Sequence, residues 1–272
     1  MNVQNKRDVV IACDKGALDY ASTTLYSFTV NTTQPALYRV TVVYFGDIDE
    51  AHTALANVVH PDMELRVVPG LSTYSNTPTC LKHLATPTFA RLELSKYLPA
   101  DCTRALWLDT DVLVVDDLDE LFAMPFTTPV AAVRARIAMD HQKIFREMFN
   151  TGVMVVNVNA WQAADVETRC LRRITTNPRN CEVILNIILM HQCTYISSVF
   201  NYLQSSGRRC PLPAFNRMTL GGRTDVHAVH YQSGLKPWKY PKMTLAELWH
   251  MYAARHVDKA KQTELLTRLT AL

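Results

Sequence analysis

Ala105-Leu106-Trp107-Leu108-Asp109-Thr110-Asp111-Val112-Leu113-Val114-Val115 decides how this chain is read. An apolar run ends in two carboxylates and then resumes. On an extended backbone residues i and i+2 project to the same side, so Asp109 and Asp111 are expected to stand together at a strand end. Like charges held so close repel, and an apolar flank makes ionisation of either one costly. A divalent cation removes both penalties. Carboxylate oxygens suit Mn2+ or Mg2+, which also bridges the oxygens of a diphosphate. Taken alone, the pair also reads as a solvated turn of Asp residues.

Upstream, Val9-Val10-Ile11-Ala12-Cys13 reads as a buried strand ending at Asp14. Val40 to Phe45 reads as a second strand, closed by Gly46-Asp47. Helical spacing over 17–31 and 49–58, a strand over 63–68 and a helix over 86–97 with Pro87 near its start precede the acidic run. Downstream, 113–115, 129–133, 152–157 and 226–231 read as strands and 159–174 and 181–191 as helices. The polar stretch 203–225 reads as an irregular loop. This alternation predicts an α/β fold: a Rossmann-like, three-layer, mostly parallel sheet with helices on both faces and ligands beyond the C-terminal strand ends. From Thr244 onward come two amphipathic stretches. Residues 1–240 are therefore expected to form one domain, and 241–272 a helical extension packed on it rather than on a membrane surface.

Composition narrows the function. Only 8 of 272 residues are Gly, about 3% against roughly 7% in ordinary proteins. There is no G-x-G-x-x-G and no G-x-x-x-x-G-K-[ST], so neither glycine-rich phosphate cradle exists. A metal, basic side chains or helix N-termini must neutralise any phosphate. The net charge of +3, without a Lys/Arg block, points away from nucleic acid. The 7 Cys include no C-x-x-C pair, which fits reduced thiols better than a disulfide or zinc framework. The N-terminus lacks a signal peptide's long apolar region, and no stretch reaches the ~18 apolar residues of a membrane span. A soluble, cytoplasmic protein without a transmembrane segment is expected.

A second signal lies far downstream: Val229-His230-Tyr231-Gln232-Ser233-Gly234-Leu235-Lys236-Pro237-Trp238. His230, at a strand end, can offer imidazole to the same cation. Gly234 permits a close backbone approach and Lys236 can meet a phosphate.

With these segments in hand the chain resembles glycosyltransferase family 8, the retaining GT-A enzymes that include bacterial lipopolysaccharide galactosyl- and glucosyltransferases and glycogenin. The resemblance is carried by IACD (11–14), TFARLEL (88–94), ALWLDTDVLVVDDLDELF (105–122), FNTGVMVVNVNAW (149–161) and HYQSGLKPW (230–238), in family order. It implies a GT-A catalytic domain over 1–240. It implies that Asp109, Asp111 and His230 hold Mn2+ (or Mg2+) and that the donor is a UDP-sugar, UDP-glucose or UDP-galactose first. Thr110 would offer backbone to the ribose, Ala12 and Asp14 would contact uridine, and Arg91 would reach phosphate and sugar. Gly234 and Lys236 would clamp the diphosphate. Asn150 would contact donor sugar or acceptor, and His83 the pocket of a glycan or glycoconjugate acceptor. A homo-oligomer is left open.

The chain also departs from the family. Lys15-Gly16-Ala17 replaces an Asn and a Tyr that hold ribose and base, with Tyr20 as a candidate substitute. Cys181 falls on an Asp that bonds donor-sugar hydroxyls. Glu182 falls on the following Gln, where it would stabilise or attack the oxocarbenium ion; otherwise it is a helix-surface Glu. Two other readings stand beside the transferase: a haloacid-dehalogenase-like phosphatase, which uses a similar acidic string but on its first strand, and a catalytically weak sugar-nucleotide-binding protein.

Overall fold

The computed structural model describes residues 6–74, 86–135, 148–176, 180–204, 225–232, 234, 236–243 and 245–270. His83 and most of the predicted loop 203–225 lie outside them. Seven strands form the main sheet: β1 (Arg7–Asp14), β2 (Tyr38–Phe45), β3 (Glu64–Pro69), β4 (Arg104–Leu108), β6 (Val130–Arg134), β7 (Phe149–Asn157) and β8 (Cys193–Tyr195). Their order is β3-β2-β1-β4-β7-β6-β8. All pairings are parallel except the two made by β7, which runs against both β4 and β6. A smaller sheet joins β5 (Val112–Val114), β10 (Ala228–His230) and β9 (Tyr202–Leu203), in that order.

Strand alternation separates two cores. One face of the sheet sends Val9, Ile11, Val40, Val42 and Leu106 against Ala21, Leu25 and Phe28 of α1 (Leu18–Asn31) and Ala51 and Leu55 of α2 (Ile48–Ala56). The other sends Val10, Val43, Ala105, Trp107 and Met154 against the helical segment Thr86–Tyr97 and three helices: α4 (Val158–Ala163), α5 (Val166–Thr176) and α6 (Cys181–Ile188). Central strands covered on both faces are continuously apolar, as the burial of Val9 through Cys13 shows. The short helix α3 (Asp119–Ala123) follows β5.

A third core unites β5 and β10 with α7 (Ala246–Ala253) and α8 (Lys259–Thr270) through Leu113, Val229, Tyr231, Leu248, Trp249 and Tyr252. Gln262 Nε2 donates to the Val115 carbonyl (2.8 Å) and Asn31 Nδ2 to Tyr252 Oη (2.9 Å). No helix among the described residues is long and apolar enough to cross a membrane.

Three local readings change. The predicted helix 159–174 is two helices, broken where Asp165 takes a φ of 50°. Segment 86–97 is kinked at Glu93, whose φ of −129° is not helical. Asp109 to Asp111 are not extended. They form a tight turn, with Val112 N donating to Asp109 O (3.1 Å), because β4 and β5 belong to different sheets and the chain must change direction between them.

The order β3-β2-β1-β4 means that the chain winds outward from β1 and then crosses back to its other side. Such a reversal opens a crevice beyond the carboxyl ends of β1 and β4. Asp14 and the acidic turn lie at those two ends. Because β7 is antiparallel, pairing Val153 with Leu108, it brings its amino end (Asn150 to Gly152) to the same crevice.

Candidate active site

The crevice has two adjoining lobes. One, of about 390 Å³, is lined by Arg91, Trp107, Asn150, Thr151, Cys181 and Glu182 among others. The other, of about 730 Å³, is lined by Asp14, Gly16, Tyr20, Lys236 and Trp238 among others. Ala12, Pro87, Thr88 and Thr110 border both, and Asp109, Asp111 and His230 line the first beside that border.

Asp109 is gripped on its β4 side. Arg91, buried on the kinked segment, donates to Asp109 Oδ1 (2.6 Å) and Oδ2 (3.2 Å). Its remaining donors reach the Thr151 carbonyl (2.9 Å), Thr151 Oγ1 (2.8 Å) and the Thr88 carbonyl (3.0 Å). Trp107 Nε1 adds a bond to Asp109 Oδ1 (2.8 Å), and its ring lies 5.1 Å from the guanidinium carbon. Burial works against the Arg91 charge, but the Asp109 carboxylate outweighs it and holds the guanidinium pKa above its ordinary value.

Asp111 is held from the other side of the crevice. Lys236 Nζ donates to Asp111 Oδ2 and to the Tyr231 carbonyl (2.6 Å), while His230 Nε2 lies 3.2 Å from Asp111 Oδ1. Burial pushes the Asp111 carboxyl up, and Lys236 with His230 overcomes this and holds it well below the usual carboxylate range. The turn itself is braced from α1: Thr24 Oγ1 donates to the Thr110 and Val112 carbonyls (3.1 and 2.8 Å).

One ligand atom from each of Asp109, Asp111 and His230 lies within 4.8 Å of the other two. This donor set fits a divalent cation. Adjacent ligands of an octahedral ion with bonds of about 2.1 Å lie about 3 Å apart, close to the His230–Asp111 spacing. A glycine makes room for the imidazole. A Cβ at Gly152 would stand 2.1 Å from His230 Cε1, so no larger residue fits without moving the ring. At Gly234, read from the sequence as the close-approach glycine, a Cβ would meet nothing within 4 Å.

In the first lobe, α6 opens with Asn180 as its cap, accepting from Val183 N (2.8 Å). Glu182 in its first turn accepts from Asn150 Nδ2 (3.1 Å) and Thr151 N (3.3 Å), and burial raises its pKa. Glu182 is therefore a lining residue of the cleft. Cys181 is buried beside it, its thiol likewise pushed up by burial. Asn150 Nδ2 also reaches Gln232 Oε1 (3.3 Å).

In the second lobe Asp14 Oδ1 accepts from Ala17 N (3.1 Å), so it shapes the turn that follows β1. Tyr20 stacks on Trp238, with ring centroids 4.0 Å apart, and Trp238 contacts Trp249 of α7. Outside both lobes, the Arg134 guanidinium lies 4.1 Å from the centre of the Tyr195 ring.

Ala12, Asp14, Arg91, Asp109, Thr110, Asp111, Asn150, Glu182, His230, Gly234 and Lys236 thus converge on one crevice. Sequence reasoning missed Thr88, Thr151, Asn180, Gln232 and above all Gly152. A signal for Gly152 existed, since glycine inside a buried strand marks a close approach.

The comparisons agree with this geometry. The model of glycosyl transferase family 8 matches residues 8–242. The glycosyltransferase GlyA of Streptococcus pneumoniae is 26% identical over 259 residues, a match covering 91% of this chain. That match spans only 34% of the length of GlyA. An active-site mutant of LgtC superposes with a TM-score of 0.76 at 24% identity, covering 94% of this chain and 99% of LgtC. The galactosyltransferase LgtC in complex with donor and acceptor sugar analogues gives 0.75 at 23% identity, covering 92% and 96%. These likenesses establish the GT-A fold. With the family model covering the sheet, the acidic turn and the His230–Trp238 segment alike, the chain belongs to glycosyl transferase family 8.

Proposed function

We propose that the protein is a retaining, metal-dependent glycosyltransferase that moves a hexosyl group from a UDP-sugar to a hydroxyl of a glycan or glycoconjugate. The observation that carries this reading is the meeting of Asp109, Asp111 and His230 at the seam between two lobes. One lobe has the aromatic wall a nucleotide needs, and the other the crowded polar lining a sugar needs. LgtC, of similar fold, is a galactosyltransferase seen in complex with donor and acceptor sugar analogues, which supports a sugar-transfer reading.

In this reading Asp109, Asp111 and His230 hold Mn2+ or Mg2+, which when bound supplies Lewis acidity to the departing diphosphate. Lys236 leaves Asp111 for a diphosphate oxygen, and Arg91 keeps Asp109 oriented while facing the phosphate and sugar. Both put fixed positive charge where the leaving group becomes negative. Glu182, steadied by Asn150 and Thr151, supplies negative charge toward the anomeric carbon, as stabiliser or as nucleophile. Tyr20 with Trp238 walls the uridine, next to Ala12 and Asp14. Residues 241–272 brace the catalytic domain 1–240.

The test is UDP release with Mn2+ across a panel of sugar nucleotides. Release that disappears in Asp111→Ala is the expected result. Phosphate release from simple phosphomonoesters indicates a phosphatase instead, and nucleotide binding without turnover, acceptor present, a binding protein. Near-normal turnover by Glu182→Gln removes the nucleophile role.

A further inference from the structure

Behind His230 lies a buried amide pair that no motif marks. His230 Nδ1 lies 3.1 Å from Asn150 Oδ1 and 3.1 Å from Asn201 Oδ1. All three residues are buried, with exposures of 4%, 5% and 0% in that order. The bonding around them orients each amide in turn. Gly152 N–H is a backbone donor and points at the Asn150 side chain (2.9 Å), so the atom there is the oxygen. That oxygen also receives Asn201 Nδ2 (2.8 Å), which turns the Asn201 oxygen toward the imidazole. Facing two oxygens, His230 Nδ1 carries a proton. Nε2, the ring's other nitrogen, lies toward Asp111 and is the atom left to meet a cation.

We propose that Asn201 is a positioning residue for the cation site. Its amide oxygen accepts from His230 Nδ1 and so holds the ring with Nε2 turned toward the cation site. The proposal rests on the cation reading above and extends it to a residue that touches neither cation nor sugar. Asn201 suits the task because its backbone is fixed. It follows the turn Ser198–Phe200 and precedes β9, whose Leu203 pairs with His230 itself. Gln204 N donates to the His230 carbonyl (2.9 Å) and His227 N to the Val199 carbonyl (2.8 Å), so the segment is clamped on either side of Asn201. Ligating histidines commonly have their second nitrogen oriented in this way, and losing such a partner weakens metal affinity by about 10–100-fold.

The experiment has two readouts on the full chain. Nitrogen-15 NMR of histidine-labelled, metal-free protein reports whether His230 Nδ1 carries a proton, and titration with Mn2+ alone reports affinity. Wild type is expected to show a protonated Nδ1. Asn201→Leu, similar in volume but without an acceptor, should shift the Nδ1 signal and weaken Mn2+ binding by about 10–100-fold. Asn201→Asp keeps an acceptor for Nδ1 but sets its other oxygen against Asn150 Oδ1, and should recover only part of the affinity. A folded Asn201→Leu with wild-type Nδ1 signal and affinity overturns the proposal. So does a wild-type spectrum with no proton on Nδ1, which stands even if the leucine variant fails to fold. If wild type binds no Mn2+ while Asn201→Leu still shifts the Nδ1 signal, the cation reading falls and the positioning role stands.

Discussion

The two carboxylates of one turn, only two residues apart, are held in opposite ways. Asp109 is fixed by Arg91 and Trp107, whose other bonds run into the main sheet and its helices. Arg91 has a side-chain exposure of 5% and spends every donor group locally. Asp111 is held by His230 and Lys236, which approach from the far side of the crevice on a segment distant in sequence. The Lys236 side chain is 19% exposed and lines the second lobe. Asp109 therefore belongs to a rigid wall and Asp111 to an exchange point, where, in the proposed reading, Lys236 gives way to a diphosphate and a cation joins Asp111 to His230.

Breaking the exchange point should have the largest effect. Asp111→Asn removes a ligand and the counter-charge of Lys236. UDP release is expected to fall by at least about 10³-fold, the scale of several kcal/mol of lost charge stabilisation. Retained turnover would mean that Asp111 is not a ligand. Breaking the wall should instead appear in stability. Arg91→Met leaves Asp109 partly buried without its partner, and urea unfolding should report a loss of about 3 kcal/mol. A loss under about 0.5 kcal/mol, the level of an ordinary surface change, would show that the wall is not held by this pair.

Gly152→Ala sharpens the comparison, because the added methyl meets His230 and leaves Arg91 alone. Overpacking of this kind costs about 1–3 kcal/mol. Mn2+ affinity should fall while the Arg91–Asp109 pair persists. Trp238→Ala removes the stack on Tyr20, worth about 0.5–1.5 kcal/mol; it should raise KM for the nucleotide sugar several-fold and leave kcat nearly unchanged. The smallest effect is expected at Gly16. A Cβ there would come no closer than 3.4 Å to Asp14 Oδ1, so Gly16→Ala should stay within about ±0.5 kcal/mol of wild type.

The same contrast explains what could be read in advance. The Asp109 side was legible because its parts are local: an apolar strand, two carboxylates, and an Arg 18 residues before the first of them. The layered sheet was legible for the same reason, since buried parallel strands are continuous apolar runs. Three features were not. The turn at Asp109 to Asp111 reads as strand because nothing in a single apolar run announces that its two halves join different sheets. The strands β8 and β9, of three and two residues, are too short to show a period. Asn201 reads as an ordinary loop residue, because its role exists only once β9 and β10 pair and bring it, 29 residues before His230, onto the imidazole. Glycine was judged by position rather than by contact. The motif drew attention to Gly234, while the glycine with a steric reason to exist is Gly152.

The central claim is that Asp109, Asp111 and His230 hold the cation that binds the diphosphate. Its most direct test is a crystal grown with Mn2+ and a UDP-sugar, with anomalous scattering recorded at the manganese edge. The account predicts a single strong peak bounded by Asp109, Asp111 and His230 Nε2, with Lys236 moved from Asp111 to the diphosphate. A diphosphate bound in the crevice with no peak among those three side chains, and Lys236 still on Asp111, would contradict it.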